Sequence, residues 1–184
     1  MLRRSSGQHT PSRLCFVQVA DAVGAGFVKS LAKPGGNATG VTNFEFDIGT
    51  KWLELLKQVA PHMTRTAVLR DSANTAGTAQ FGAIQAVAPS LGVEVSPIGL
   101  SEAREIENGL NEFGREPNGG VIVTPNGLAI IHRHLIIRET TRMKLPTIFP
   151  FRYFVTDGGL ISYGPDVTDQ YRRAAVYVDR ILKG

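Results

Sequence analysis

A single cysteine, Cys15, stands in the chain of 184 residues. One thiol excludes an intrachain disulfide framework and a zinc site built from several thiolates. Within the apolar run LCFVQVA it reads as a buried free thiol. Long hydrophobic runs are missing too, and no stretch reaches the length of a membrane-crossing helix. Charge of one sign is nowhere concentrated. Lys+Arg number 20 against 16 Asp+Glu, for a net charge of +4, but the basic residues are scattered. Their densest pair, Arg3-Arg4, lies in a polar amino-terminal tail. Without a basic stripe interleaved with aromatics, nucleic-acid binding is not indicated.

Catalytic patterns are equally scarce. The chain has no GxSxG elbow, no GxxxxGK[ST] loop and no GxGxxG spacing. Gly24-Ala25-Gly26 is a fragment of a glycine-rich fingerprint and reads as the entry to a short helix around residues 24–31. His132 and His134, two apart on a helix, point about 200° apart and cannot share a metal as an i, i+4 pair does. His62 follows Pro61 in a turn, and His9 is in the tail. Asp157-Gly158-Gly159 reads as a turn rather than a metal site. No catalytic residue, metal or cofactor is indicated, which points away from an enzyme.

What the chain does have is ordinary globular composition, 42% hydrophobic and 20% charged, enough for one buried domain plus a fragment of another. From residue 65 strands and helices alternate. TAVLRD (66–71) is a β-branched strand closed by the turn-rich SANT. AGTAQFGAIQAVAPSLG (76–92) is a helix burying Phe81, Ile84, Ala88 and Leu91, weakened at Pro89 and stopped at Gly92. VEVSPI (93–98) is a strand. Ser101 is expected to cap a helix that buries Ile106, Leu110 and Phe113. GGVIVTP (119–125) is a continuous apolar strand, as when both faces are covered. One helix is expected over 128–143, strands at 145–150 and 159–164, and a last helix capped by Asp166 with Tyr171, Ala175, Val178 and Leu182 in phase. This order predicts an α/β fold, a doubly wound parallel five-stranded sheet with helices on both faces, as in a flavodoxin-like lobe.

Upstream, residues 14–20 and 38–44 read as strands, followed by the helix IGTKWLELLKQVA with Trp52, Leu55, Leu56 and Val59 as its apolar stripe. One or two strands do not form an independent sheet, so this part predicts a partial second lobe whose exposed edges suit a homodimer. The basic start and following apolar run mimic a secretory leader. Asp21 and the polar insert at 8–13 break that pattern, so no signal peptide is evident and residues 1–13 read as a disordered tail.

In a doubly wound sheet, ligands sit beyond the carboxyl ends of the strands. That rule selects Asp71, Asn74 and Thr75 after the first strand of the series and Thr124 and Asn126 after the third. It also selects Phe151 and Tyr153 after the fourth and Tyr163 after the fifth. The two loops ahead of helices present N–H groups and a positive dipole end, which favour an anion such as a carboxylate. Helix capping and turn formation account for Asn74, Thr75 and Asn126 equally well, and Phe149 and Phe154 read as backing in the core.

The stretch ADAVGAGFVKSLAKPGGNATGVTNFEF resembles a segment of the ABC-transporter substrate-binding proteins related to the tryptophan- and tyrosine-binding proteins. Their usual pattern is an Asp-Pro-Val-Gly start and a Leu-x-Arg-Pro-Gly-Gly-Asn-x-Thr-Gly turn; Ala22 here stands at the proline position. KWLELLKQVAP, the VLRDSAN turn and GGLISYGPDVTDQYRRAAVYVDRILKG extend the likeness over nearly all of residues 15–184. The resemblance implies a two-lobed type I periplasmic-binding-protein fold that closes on a small ligand. Residues 14–48 would be the remnant of the first lobe and a crossover, 49–162 the second ligand-binding lobe, and 163–184 the return crossover helix. The opening part of the first lobe has no counterpart, so the chain resembles a truncated or mis-started member. Asp21 and Asn43 match motif positions beside the cleft. The ligand implied is small and carboxylate-bearing, with aromatic amino acids prominent, the partner an ABC permease, and the location periplasmic or extracellular. A ligand-sensing regulatory domain and a small doubly wound enzyme are the alternative functions compatible with the same fold.

Overall fold

Strand-period and helix-period segments settle into two compact units in the computed structural model, which describes residues 12–19, 21–42 and 47–183. One unit is Phe44–Val167; the other joins Met1–Asn43 to Thr168–Gly184.

The larger unit is a five-stranded sheet in the order β4-β3-β5-β6-β7, parallel throughout. Its elements are α1 (Ile48–Val59), β3 (Arg65–Arg70), α2 (Thr75–Val87), β4 (Glu94–Gly99), α3 (Ala103–Phe113), β5 (Gly119–Val123), α4 (Gly127–Ile131), α5 (Arg133–Arg142), β6 (Thr147–Phe149), α6 (Arg152–Thr156) and β7 (Ile161–Ser162). The predicted fold class is thus the observed one. Right-handed crossovers place α2 on one face, against α1, and α3 on the other, against α5. β5 is buried along its whole length, as its unbroken apolar run requires. β4 is an edge strand, where Pro97 is tolerated because an outward N–H is dispensable.

Four local expectations are corrected. The stripe of α1 is Trp52, Leu53 and Leu56, with Leu55 only half-buried and Val59 exposed. Ser101 does not cap α3 with its oxygen. Its backbone N–H and hydroxyl both donate to the Glu105 carboxylate inside the helix, which holds that carboxyl below its ordinary pKa. The helix expected over 128–143 breaks at His132 (φ −93°, ψ 12°), where the Arg133 guanidinium takes the Ile130 carbonyl at 3.4 Å. The run after β6 is not extended: Pro150 follows a strand of only three residues, and Tyr153 lies in α6. The helix expected at 76–92 weakens and stops where expected, with Leu91 only half-buried. It passes into a 3-10 turn at Ala88–Leu91, since Pro89 has no N–H, and Gly92 ends it at φ 63°.

In the smaller unit, β1 (Leu14–Val19) pairs in parallel with β2 (Ala38–Thr42), with an irregularity at Gln18, whose φ is 64°. Phe16, Ala22 and Val28 form its small core. No helix forms at 24–31. Residues 22–26 make a turn in which the Ala25 N–H donates to the Asp21 carbonyl, and Gly26 (φ 74°) enters the left-handed region, ending it after one cycle. The helix α7 (Val167–Lys183), from Thr168 onward, completes the unit. Gln170 Nε2 reaches the Thr42 carbonyl at 3.4 Å, and Arg13 Nη1 reaches that of Ile181 at 2.8 Å. The expected phase of α7 is turned by one residue. Gln170 and Ala174 are buried, whereas Tyr171, Ala175, Val178 and Leu182 are exposed.

Between α3 and α5, Glu139 is the buried centre of an ion-pair network, its side chain 9% exposed. Arg142 contacts it at 2.6 Å and Arg138 at 2.9 Å, and they extend to Asn111 and Glu107. Hydrogen bonds from Arg142 and then Arg138 hold the Glu139 carboxyl below its ordinary range. A depressed carboxylate stabilises the fold above the unfolded-state pKa, and that contribution disappears as pH falls through the folded value. Glu139→Gln should therefore cost about 1 kcal/mol at neutral pH, both arginines being largely solvated. Denaturant melts of both proteins from neutral to acid pH should show the difference closing in acid. An unchanged gap at low pH would contradict the assignment.

Candidate functional site

Because all strands of the larger unit are parallel, their carboxyl ends share one edge of the sheet. The crossover direction reverses between neighbours β3 and β5, since β3 leads through α2 to β4 and β5 leads through α4 and α5 to β6 on the opposite side. Such a reversal opens a crevice between the two outgoing loops.

In the β3–α2 loop, Asp71 Oδ1 accepts the Ala73 N–H at 2.9 Å. Asn74 caps α2, its Oδ1 accepting from Ala76 at 3.0 Å and Gly77 at 3.3 Å, while Thr75 is exposed at the first helical position. In the facing loop Thr124 is fully buried and donates its hydroxyl to the Leu69 carbonyl at 2.9 Å. Asn126 caps α4 through Ala129 N–H at 2.7 Å, and its enclosed Nδ2 has no partner among the described residues. The two loops approach at Gly77. A Cβ there would stand 3.6 Å from the Asp71 carbonyl oxygen and 3.7 Å from Thr124 Oγ1.

Beyond β6 the aromatics form a continuous stack. Phe151, at the N-cap of α6, lies on Tyr153 with 5.3 Å between ring centroids; Tyr153 lies on Phe154 at 5.1 Å, and Phe154 on Phe149 at 5.0 Å. Phe149 and Phe154 are core residues, as expected, and Phe151 is buried with them. The stack needs Gly159 beneath it, where a Cβ would fall 2.6 Å from the Phe149 ring. Tyr153 is half-buried, and desolvation pushes its hydroxyl pKa up to about 12 against the opposing pull of Arg133. Arg133 itself is tied to Asp157 at 2.7 Å. Tyr163, 44% exposed, follows β7; its N–H donates to the Phe149 carbonyl, and its own carbonyl accepts the Trp52 indole N–H at 2.7 Å.

Eight of the ten residues selected from sequence thus lie along one edge of the larger unit: Asp71, Asn74, Thr75, Thr124, Asn126, Phe151, Tyr153 and Tyr163. Asp21 belongs to the smaller unit, where Oδ1 accepts the Gly24 N–H at 2.7 Å, and Asn43 lies outside the described residues. Two features escaped the sequence. The Arg133–Asp157 pair is a tertiary contact with no local signal. Gln80 is buried, with neither amide atom partnered among the described residues; its place as the one polar member of the row Ala76, Gln80, Ile84 is the signal that could have found it. Among the described residues no three His, Cys, Asp or Glu side chains are grouped to hold a metal ion, and no helix is long and apolar enough to cross a membrane.

Residues 8–184 match the family described as ABC transporter substrate binding protein. A Clostridioides difficile protein named tyrosine-binding protein is 26% identical over 172 residues, covering 93% of this chain and 49% of the relative. Among solved structures, a Streptococcus pneumoniae ABC domain in complex with L-Trp superposes with TM-score 0.83 at 23% identity, over 94% of this chain and 57% of that one. The ligand-free, open structure of a Clostridium difficile substrate binding protein with adhesive properties gives 0.67 at 26% identity, with the same coverage. The chain therefore spans about half the length of the curated relative it matches.

The desolvated Tyr153 hydroxyl gives a direct spectroscopic check. Ultraviolet titration of the folded protein should show a tyrosinate component appearing only near pH 12, and Tyr153→Phe should delete that component. Its persistence in the variant would place the late-titrating phenol elsewhere.

Proposed function

Since the chain belongs to the ABC transporter substrate binding protein family, we propose that it binds a small carboxylate-bearing solute, foremost an aromatic amino acid, for delivery to a membrane permease. The observation that carries this is the single rim of the larger unit. On it a carboxylate side chain, two asparagine-capped helix starts and two tyrosines follow the ends of β3, β5, β6 and β7. Helix starts favour the solute's carboxylate, and Tyr163 and Tyr153 offer aromatic surface to its ring. The tyrosine-binding relative supports the choice of ligand class.

In this proposal Asp71, Asn74, Thr75, Thr124, Asn126, Phe151, Tyr153 and Tyr163 form one wall of the site. Thr124, Phe151 and the cap oxygens of Asn74 and Asn126 act by holding the rim in shape; Asp71, Thr75, Tyr153 and Tyr163 are the groups that meet ligand. Asp21 and Asn43 belong to the first-lobe side, and the larger unit is the second lobe. The activity is binding without turnover, and the location is periplasmic or extracellular.

A thermal-shift panel of L-tyrosine, L-tryptophan, branched and polar amino acids, purines and sugars tests this. A true ligand at a hundred times its Kd should add about 2.7 kcal/mol to stability. Tyr163→Ala should remove most of that shift while lowering the unliganded stability by no more than about 1 kcal/mol, since the side chain is 44% exposed. No response to any amino acid would overturn the ligand class, and an undiminished response in Tyr163→Ala would overturn the rim assignment.

A further inference from the structure

Two short helices leave neighbouring strands of the larger unit. α4 follows β5 and starts from Asn126; α6 follows β6 and starts from Phe151, with Tyr153 in its first turn. Each has only five residues. A helix that short does not sustain itself in water, so its position is set by what packs against it. The far ends of both meet Arg133, the first residue of α5. Its Nε donates to Asp157 Oδ2 at 2.7 Å, and its Nη1 reaches the Ile130 carbonyl at 3.4 Å. Ile130 lies in the last turn of α4, and Asp157 closes α6. One guanidinium thus joins the tails of two helices whose heads carry rim residues.

Asp157 is in turn coupled to Tyr153. The two stand four residues apart, on one side of the helix, and the Asp157 N–H donates to the Tyr153 carbonyl at 3.0 Å. At Gly158 the chain turns with φ 108°, and a Cβ there would stand 3.7 Å from Ile137, one turn along α5 from Arg133. The Arg133 charge is felt at the Tyr153 phenol, against the larger effect of desolvation. Stacking on Phe151 and Phe154 orients the Tyr153 ring, but stacked rings tolerate a range of offsets.

We propose that Arg133 and Asp157 are a positioning pair for the solute site, fastening α6 to the start of α5 and so fixing where Tyr153 stands relative to Asn126. The inference rests on the reading of the rim as a binding wall. With their side chains 34% and 27% exposed, the two contribute little to global stability. Their effect is on placement: a Tyr153 that the solute must order costs affinity that a pre-placed one does not.

Arg133→Gln and Asp157→Asn each break the bond, and two readouts follow. The first needs no ligand. The near-ultraviolet circular dichroism of Tyr153, taken as each protein minus its Tyr153→Leu counterpart, should fall in both variants while the far-ultraviolet signal is unchanged. The second is titration with L-tyrosine and L-tryptophan. Each variant should bind about three- to tenfold more weakly, the cost of ordering one more side chain, and the double variant no more weakly than either. In the Tyr153→Leu background, Arg133→Gln should leave Kd unchanged. An undiminished Tyr153 signal in both variants would sink the proposal, whatever the ligand. So would an affinity equal to the parent's in Arg133→Gln, or a full loss still seen in the Tyr153→Leu background, which would assign Arg133 a role independent of Tyr153. Should neither amino acid bind the parent chain, the ligand class falls, and the ligand-free signal alone decides for or against the pair.

Discussion

Parallel strands cannot be joined by tight turns, and the crossovers that join them are right-handed. That constraint organises the larger unit. With β3 one strand in from the β4 edge, the excursion to β4 puts α2 on one face, and the return to β5 puts α3 on the other. The chain then continues outward through β6 and β7, so the strand order reverses direction once, between β3 and β5. The position of the rim follows from this geometry alone. Its neighbours are fixed by the same reversal: α1 beside α2 on one face, α5 beside α3 on the other.

At that rim the polar side chains are largely engaged with the protein's own backbone. Asn74 and Asn126 close helix starts, Asp71 closes a turn and Thr124 ties β5 to β3. Beyond β6 stacked rings add to the backbone hydrogen bonds, with Gly159 admitting the Phe149 ring from below. A rim held in this way would lose little conformational freedom on binding the proposed solute, which is what preorganisation contributes to affinity.

The sheet was legible because its signals are local and redundant. The apolar run of β5, the β-branched β3 and the Pro89–Gly92 stop each carry their own punctuation. The rim was legible for a different reason: once the strands are parallel, their carboxyl ends share one edge whatever their order. What failed depended on which side chain or neighbour a group meets. Ser101 lies where a cap belongs, but Glu105 four residues on offers a charged acceptor and reverses the hydrogen bond. The His132 break coincides with an arginine engaged by Asp157, 24 residues away. On α7 the apolar phase was read correctly as a stripe and wrongly as a buried one, since burial requires a neighbour that the helix's own sequence cannot name. Asp21 and Asn43 rest on motif resemblance, and only Asp21 has a described environment.

Trp52 has a consequence of another kind. It is the sole tryptophan, wholly buried, and its indole N–H is bonded to the backbone carbonyl of Tyr163, the last of the four strand ends. Indole emission is sensitive to the polarity and hydrogen bonding at that nitrogen. The molecule thus contains one natural fluorophore wired to the edge where β7 finishes, and its colour and intensity report the state of that edge without any label. Sequence economy, a single Trp in 184 residues, makes that signal unambiguous in origin.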